Sequence, residues 1–501
     1  MKKFITVAAC AAAIVSSVSA DDLGHKAPDF GQTVEQLANA LSPFLYGTLG
    51  TLRESSTTSL SATDANTNPA KLLSVAPGLK VKVLSSDPLL APNIDQMFLW
   101  PNGNHPTHII ACNEQGTGQV AVQRVNITTG AVANIISSGM TSCDPARLTA
   151  WGTVIVGEEN GTNGRVFEIL DPLNTTNVTV PNSGFGATSD PTHVVARPAL
   201  GQFAFEGIGI LPNGIVYLTD ENRPGTGGIG NPGGAIVKFI PQVLWVAGSP
   251  AITNLSQSPW TAGRLFGMRL GRNSNNTDVG QGNEFGRGVW VEITGTQPIN
   301  LRAAANTLKL TSYYRPEDMS IDLKQLAAGN VRFCGTNTGQ DIPATTANGD
   351  NHWGEVYCVT DGTVAAGEAI NTVLQGADTI NTSTVPEYQP LVIGNLDLAM
   401  PDNVDIQPGT GNFLLNEDGE GALYSPPRNN DIWACLDDGD DADHLADNCA
   451  RLMSLNDLTA EPTGGFFDAT GTRYFVSIQH NITGHGVILE VDGWKVRRDH
   501  W

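Results

Sequence analysis

Residues 154–170 read VIVGEENGTNGRVFEIL. An apolar run of strand length ends in two adjacent carboxylates, Glu158 and Glu159; a Gly/Asn turn follows, then a second apolar strand. Two such runs around a turn of this composition predict a β-hairpin. The same plan recurs in HIIACNEQGTGQVAV (108–122), VYLTDENRPGTGG (216–228, leading to GGAIVKFI), VRFCGTNTG (331–339, leading to WGEVYCV), FLLNEDGEGALY (413–424) and YFVSIQHNITGHGVILEV (474–491). Several copies are preceded by one more strand that starts at an acid or Asn, as in FEGIGILPNGIVYLTDE, MPDNVDIQPGTGNFLLNED and EPTGGFFDATGTRYFVSIQ. Six units of short strands at a repeating interval predict an all-β chain folded as a six-bladed β-propeller with loop insertions. The stretch GRGVWVEI (286–293) leaves room for a seventh blade, and GVILEVDGW near the C-terminus is placed to close the ring against N-terminal sequence.

Around this repeat the chain divides into three parts. Lys2 and Lys3, the apolar stretch Phe4 to Val18 and Val18-Ser19-Ala20 read as a signal peptide over 1–20. Residues 21–75 are an N-terminal segment with one amphipathic stretch, TVEQLANALSPFL, and a polar linker; 76–501 form the propeller domain. The Lys-Lys pair, in place of twin arginines, points to export of an unfolded chain. No later stretch is long and apolar enough to span a membrane. The expected location is periplasmic or extracellular, and the expected state is a monomer.

The net charge of −22 argues against a nucleic-acid partner, since phosphate backbones are neutralised by Lys and Arg. It suits a chain that binds hard cations, or simply an acidic exported surface. Of seven cysteines, Cys10 lies in the leader. An oxidising compartment favours pairing Cys435 with Cys449 and Cys334 with Cys358. Cys112 and Cys143 are then either a third bridge or two free thiols.

In a propeller, equivalent ends of the innermost strands converge although far apart in sequence. The acids at those ends are Asp144, Glu206, Glu317 with Asp318, Asp402 and Glu461; pairs one hairpin later are Glu158/Glu159, Asp220/Glu221 and Glu417/Asp418. Each taken alone reads as a turn residue. Together they crowd carboxylates that cannot all stay ionised without cations, and oxygen-rich sites of this kind suit Ca²⁺. In SYYRPEDMSID (312–322), Arg315 stands two residues before Glu317, which is either a salt bridge or a guanidinium placed beside a metal-bound carboxylate to grip phosphate. The Asp-rich loop 435–449 lacks EF-hand spacing and reads as solvated, and His444 and His480 as turn histidines, His480 at a repeat position.

The ordered set Cys…WGT…EE, FEGIGI…GIVYLTDEN…GGAIVKFIP, RPEDM, PDNVDIQPGTGNFLLNEDG and EPTGGFFDATGTRYFVSIQH, over roughly residues 80 to 490, resembles the secreted alkaline phosphatases of the PhoX family. The resemblance implies a propeller phosphatase with Ca²⁺ and Fe³⁺ at the channel mouth. By the same resemblance Cys143, Glu206 and Glu317 match iron-ligand positions. Glu159, Asp318, Asp402, Asn403 and Glu461 match positions near calcium, and Arg315 matches the phosphate-binding arginine. The expected activity is hydrolysis of small phosphate monoesters, with Arg315 and Glu317 as the catalytic pair. A Ca²⁺-dependent propeller hydrolase such as a lactonase, or a non-catalytic binding propeller braced by calcium, are the other readings.

Overall fold

The computed structural model describes residues 32–224, 232–270, 285–339, 353–363, 385–419, 421–424, 426–439 and 443–496. Residues 1–20, read from the sequence as a leader, lie outside them. The amphipathic stretch forms the helix Gln32–Leu45. The polar segment after it is fastened to the body: Ser56 Oγ donates to Asn456 (2.6 Å), and its backbone N–H donates to Ser454 Oγ (2.7 Å). Leu73–Val75 then pairs antiparallel with residues 453–455.

Beyond it the described chain is mostly β-structure, with two short α-helices at Leu301–Leu308 and Leu323–Ala327. One sheet runs through Ile94–Trp100, His108–Asn113, Val122–Asn126 and Val132–Ser138, with Val178–Thr179 at its edge. A second runs through Cys143–Leu148, Val154–Glu158, Val166–Ile169 and Val194–Ala196. Two more start at Pro401–Ile406 and at Glu461–Phe467. The last of these ends with the N-terminal strand Lys80–Ser85 paired against Ile488–Asp492, so both chain ends close one sheet.

The remaining sheet has ten strands. It descends from Phe205–Ile210 to Gly286–Ile293, crosses to Glu387–Ile393 and returns to Pro316–Ile321. The outer strands of the two halves pair edge to edge at Gly286↔Tyr388 and Arg287↔Glu387. The described strands therefore form five hydrogen-bonded sheets in a propeller-like ring, not six separate ones. Residues 286–293 are an outer strand rather than a seventh unit.

The ring itself is made by the first strands. Ile94–Trp100, Cys143–Leu148, Phe205–Ile210, Pro316–Ile321, Pro401–Ile406 and Glu461–Phe467 contact one another in a closed cycle. Near-continuous apolar strands bury both faces, and the core lies as wedges between neighbouring sheets. Phe98, Ile110, Val156 and Phe167 fill one wedge; Ile155, Ile208, Val216 and Val237 fill the next. Ile94, Ile109, Phe475 and Ile488 seal the first sheet to the last. This stack fixes the position of each first strand, and hence of the side chains at its start.

Candidate metal centre

Five first strands carry an acid at their second residue: Asp95, Asp144, Glu206, Glu317 and Asp402. Pairing slips around each of these acids. The register jumps from Ile94↔Asn113 to Met97↔Ala111, from Cys143↔Glu158 to Ala146↔Val156, and from Phe205↔Asp220 to Ile208↔Leu218. It jumps likewise from Pro316↔Asn337 to Met319↔Gly335, and from Pro401↔Glu417 to Asn403↔Asn416. A bulge re-aims the unpaired side chain, here toward the ring axis. Ser142, Arg315 and Met400, each one residue before a first strand, have φ of 43°, 55° and 52°. That left-handed turn is uncommon for residues with a Cβ and sets the chain's entry into the strand.

The acidic pairs that end the second strands divide by strand alternation. The first acid of each pair turns into the sheet and meets an arginine. Glu158 receives Arg165 at 2.6 and 2.7 Å, Asp220 receives Arg302 at 2.6 and 2.9 Å, and Glu417 receives Arg428 at 2.7 Å. The second acid turns toward the axis: Glu159, Glu221 and Asp418. The compensation for Glu158 is thus a buried guanidinium. Removing it by Arg165→Ala should destabilise the protein by about 3–5 kcal/mol, because Glu158 is fully buried and would lose its counter-charge; a denaturant melt at fixed Ca²⁺ measures this.

Nine carboxylates and one guanidinium line a cavity of about 60 Å³ at one end of the ring: Asp95, Glu114, Asp144, Glu159, Glu206, Arg315, Glu317, Asp402, Asp418 and Glu461. Ligand oxygens of Asp95, Glu114 and Asp144 lie within 4.8 Å of one another, and so do those of Glu206, Glu317 and Asp402. Arg315 reaches Glu221 (2.9 Å), Glu317 (3.0 Å) and Asp418 (3.1 Å). Gln479 donates to Glu114 (2.8 Å), and His480 Nε2 lies 3.1 Å from Glu461.

One guanidinium cannot neutralise this set. Burial first, and mutual repulsion second, push the carboxyls of Asp95, Glu159, Asp402 and Glu461 well above the usual range. Glu206 is pushed up by burial and by its neighbour Asp144, to which it is hydrogen-bonded; Glu461 stands in the same relation to Asp418. Carboxyl pairs hold together in this way by sharing a proton. Asp95 Oδ1, Asp144 Oδ1 and Glu206 Oε2 are buried without any hydrogen-bond partner. Glu317 Oε1 has the Arg315 ion contact but no aligned hydrogen bond. Such orphaned oxygens, converging in a small volume, fit hard oxygen-seeking cations such as Ca²⁺.

Of the residues predicted for the site, Glu159, Glu206, Arg315, Glu317, Asp402 and Glu461 come together here. Three do not. Cys143 is fully buried and bonded to Cys112, so its sulfur has no thiolate to offer a metal; the bridges Cys334–Cys358 and Cys435–Cys449 are also formed. Asp318 follows the axial acid by one residue and is held instead by Arg147 and by its own neighbour's N–H, Met319 N. Asn403 likewise follows Asp402 by one residue; its Oδ1 accepts from Gly464 N (2.8 Å), a brace to the next strand.

Sequence reasoning missed Asp95 and Glu114 and did not select Asp144, Glu221 and Asp418. The signal was present, since IDQM at 94–97 places its acid where CDPA, FEGI, PEDM and PDNV place theirs. His480 occupies in the last unit the position of Glu159, Glu221 and Asp418. His444 lies outside the cavity, 3.8 Å from Asp438.

The family described as Alkaline phosphatase PhoX matches residues 117–481. No curated protein matches in sequence. Among solved structures, PhoX of Pseudomonas fluorescens in complex with vanadate, described as a transition-state analogue, is 15% identical with a TM-score of 0.58; the match covers 89% of this chain and 98% of that one. A PQQ-bound aldose sugar dehydrogenase from Streptomyces coelicolor is 13% identical over 84% of this chain and 99% of that one, with a TM-score of 0.40. A gluconolactonase from Xanthomonas campestris is 9% identical over 88% and 99%, with a TM-score of 0.39. The family match spans most of the chain and takes in seven of the nine cavity carboxylates together with Arg315, Asp95 and Glu114 preceding it; on the extent of that match, the chain belongs to the PhoX alkaline phosphatase family.

Proposed function

We propose that the protein is an exported phosphomonoesterase that uses Ca²⁺, with or without Fe³⁺, at the carboxylate cavity. The observation that carries this reading is the cavity's composition, in which a single arginine stands among converging, partnerless carboxylate oxygens. When bound, the cations supply neutralisation of the carboxylates and polarisation of phosphoryl oxygens. Asp95, Glu114 and Asp144 would hold one group of ligands, and Glu206, Glu317 and Asp402 another. Fe³⁺ would here have carboxylates without a thiolate. Arg315 binds and orients the phosphoryl oxygens through its planar fork. Glu221 and Asp418 hold the guanidinium from two sides, and its left-handed backbone is fixed by hydrogen bonds to Asn222 O (3.2 Å) and from Thr338 N (2.9 Å).

The same reading takes the fold as six-bladed, with the ten-stranded sheet as two blades whose outer strands touch, and the chain as leader 1–20, N-terminal segment 21–75 and propeller 76–501. It places the mature monomer in the periplasm or outside the cell, in keeping with the three disulfides.

The test is a substrate panel on the mature protein, stripped with a chelator and refilled with Ca²⁺. A phosphate monoester should be turned over only after refilling, and a phosphodiester and a lactone should stay at background. Hydrolysis of the lactone alone, or equal rates on monoester and diester, would overturn the assignment.

A further inference from the structure

Six side chains form one continuous chain of contacts across the mouth of the cavity. Arg223 Nε lies 3.5 Å from Glu221 Oε1, and the same oxygen takes Arg315 Nε at 2.9 Å. Arg315 continues to Asp418 at 3.1 Å, Asp418 is hydrogen-bonded to Glu461, and Glu461 meets His480 at 3.1 Å. Side-chain exposure is 11% at Arg315 in the middle and rises to 50% at Arg223 and 48% at His480. The chain therefore lies like a sill, buried at its centre and open at both ends.

Arg223 is the unusual member. Its guanidinium has five donors, and its contact with Glu221 is longer than a normal hydrogen bond. It is the second cation on Glu221, and half of its side chain is exposed. The two arginines share one carboxylate oxygen, so their Nε atoms are no further apart than the sum of 2.9 and 3.5 Å. A substrate phosphate held by Arg315 thus brings its ester substituent toward a half-exposed cation, in a mouth otherwise lined by acids.

Resting on the phosphatase reading of this site, we propose that Arg223 is a specificity residue that recognises a second anionic group, a phosphate or carboxylate, a few bonds from the ester oxygen of the substrate. The preferred substrates are then small doubly anionic monoesters such as bisphosphates or phosphorylated hydroxy acids. An arginine fork suits either group. The cation also offsets the repulsion that this acidic mouth would otherwise direct at a substrate carrying extra negative charge.

The experiment compares kcat/KM for 3-phosphoglycerate and for p-nitrophenyl phosphate, in Ca²⁺-loaded wild type, Arg223→Gln and Arg223→Lys. The ratio of the two values should fall about tenfold in Arg223→Gln, as expected for loss of one partly exposed ionic contact, and should be partly restored in Arg223→Lys. The fall should appear mainly in KM and shrink at high salt. An unchanged ratio, with both substrates affected alike or not at all, would overturn the proposal, since a residue that only supports Glu221 acts on both. Absence of wild-type turnover on either substrate would instead sink the phosphatase reading itself.

Discussion

Arg315→Ala should lower kcat/KM on phosphate monoesters by about a hundred- to a thousandfold, the range seen when a single preorganised group that stabilises transition-state charge is deleted. Arg315 is the one cation lining the cavity among the described residues, and three carboxylates aim it. Its backbone is held in a left-handed turn, as at Ser142 and Met400, that fixes where the side chain leaves the strand entry. Burial would lower its proton affinity, but Glu317, Asp418 and Glu221 overcome that, so it stays charged throughout the working range. Arg315→Lys keeps the charge and loses the fork, and should recover only a small part of the rate. Circular dichroism in Ca²⁺ should match wild type for both variants. Rates within a fewfold of wild type would remove Arg315 from the chemistry.

Stripping divalent cations should abolish turnover and also weaken the fold, because the carboxylates then repel one another in a buried space. Each cation site filled at a hundred times its Kd adds about 2.7 kcal/mol, so the unfolding midpoint should climb steadily with Ca²⁺ concentration. The pH dependence follows from the carboxyls of Asp95, Glu159, Asp402 and Glu461, which burial and repulsion raise in the folded state. A raised carboxyl binds more protons folded than unfolded, so the contribution of these four groups to the stability of the stripped protein is greatest below the ordinary carboxylate range. It is lost as pH climbs toward the raised folded values. Bound Ca²⁺ takes the place of those protons and should flatten the dependence. Thermal melts from pH 4 to 8, with chelator and with Ca²⁺, measure both slopes. Parallel curves would show that the carboxylates are not neutralised by a shared cation.

Asp95→Asn tests a residue that the sequence reading passed over and the fold places in the cavity. It should raise the Ca²⁺ concentration needed for half-maximal turnover, about tenfold or more, by removing one charged ligand from the Asp95–Glu114–Asp144 group. A calcium titration of activity reads this directly.

The sequence by itself determined the class of fold and the kind of chemistry. Repeated hairpins such as VIVGEENG have one stable arrangement, a ring in which each sheet buries the faces of its neighbours, and that ring carries the recurrent acids to one end. The pairing of Cys334 with Cys358 and of Cys435 with Cys449 was legible for the same reason, since each pair sits on adjacent strands of one hairpin.

Only the tertiary structure decided which acid of each pair does what. Glu158 and Glu159 are neighbours in sequence, but strand alternation sends one to Arg165 and the other to the cavity. The bulge at each first strand selects Glu317 over Asp318 and Asp402 over Asn403, and a slip of one residue reverses such a choice. Cys143 and Cys112 lie on first and second strands of adjacent sheets, so their bond depends on how two sheets pack rather than on any local pattern. Residue type and spacing record what a chain can coordinate; register and packing between distant strands decide which atoms face the same point.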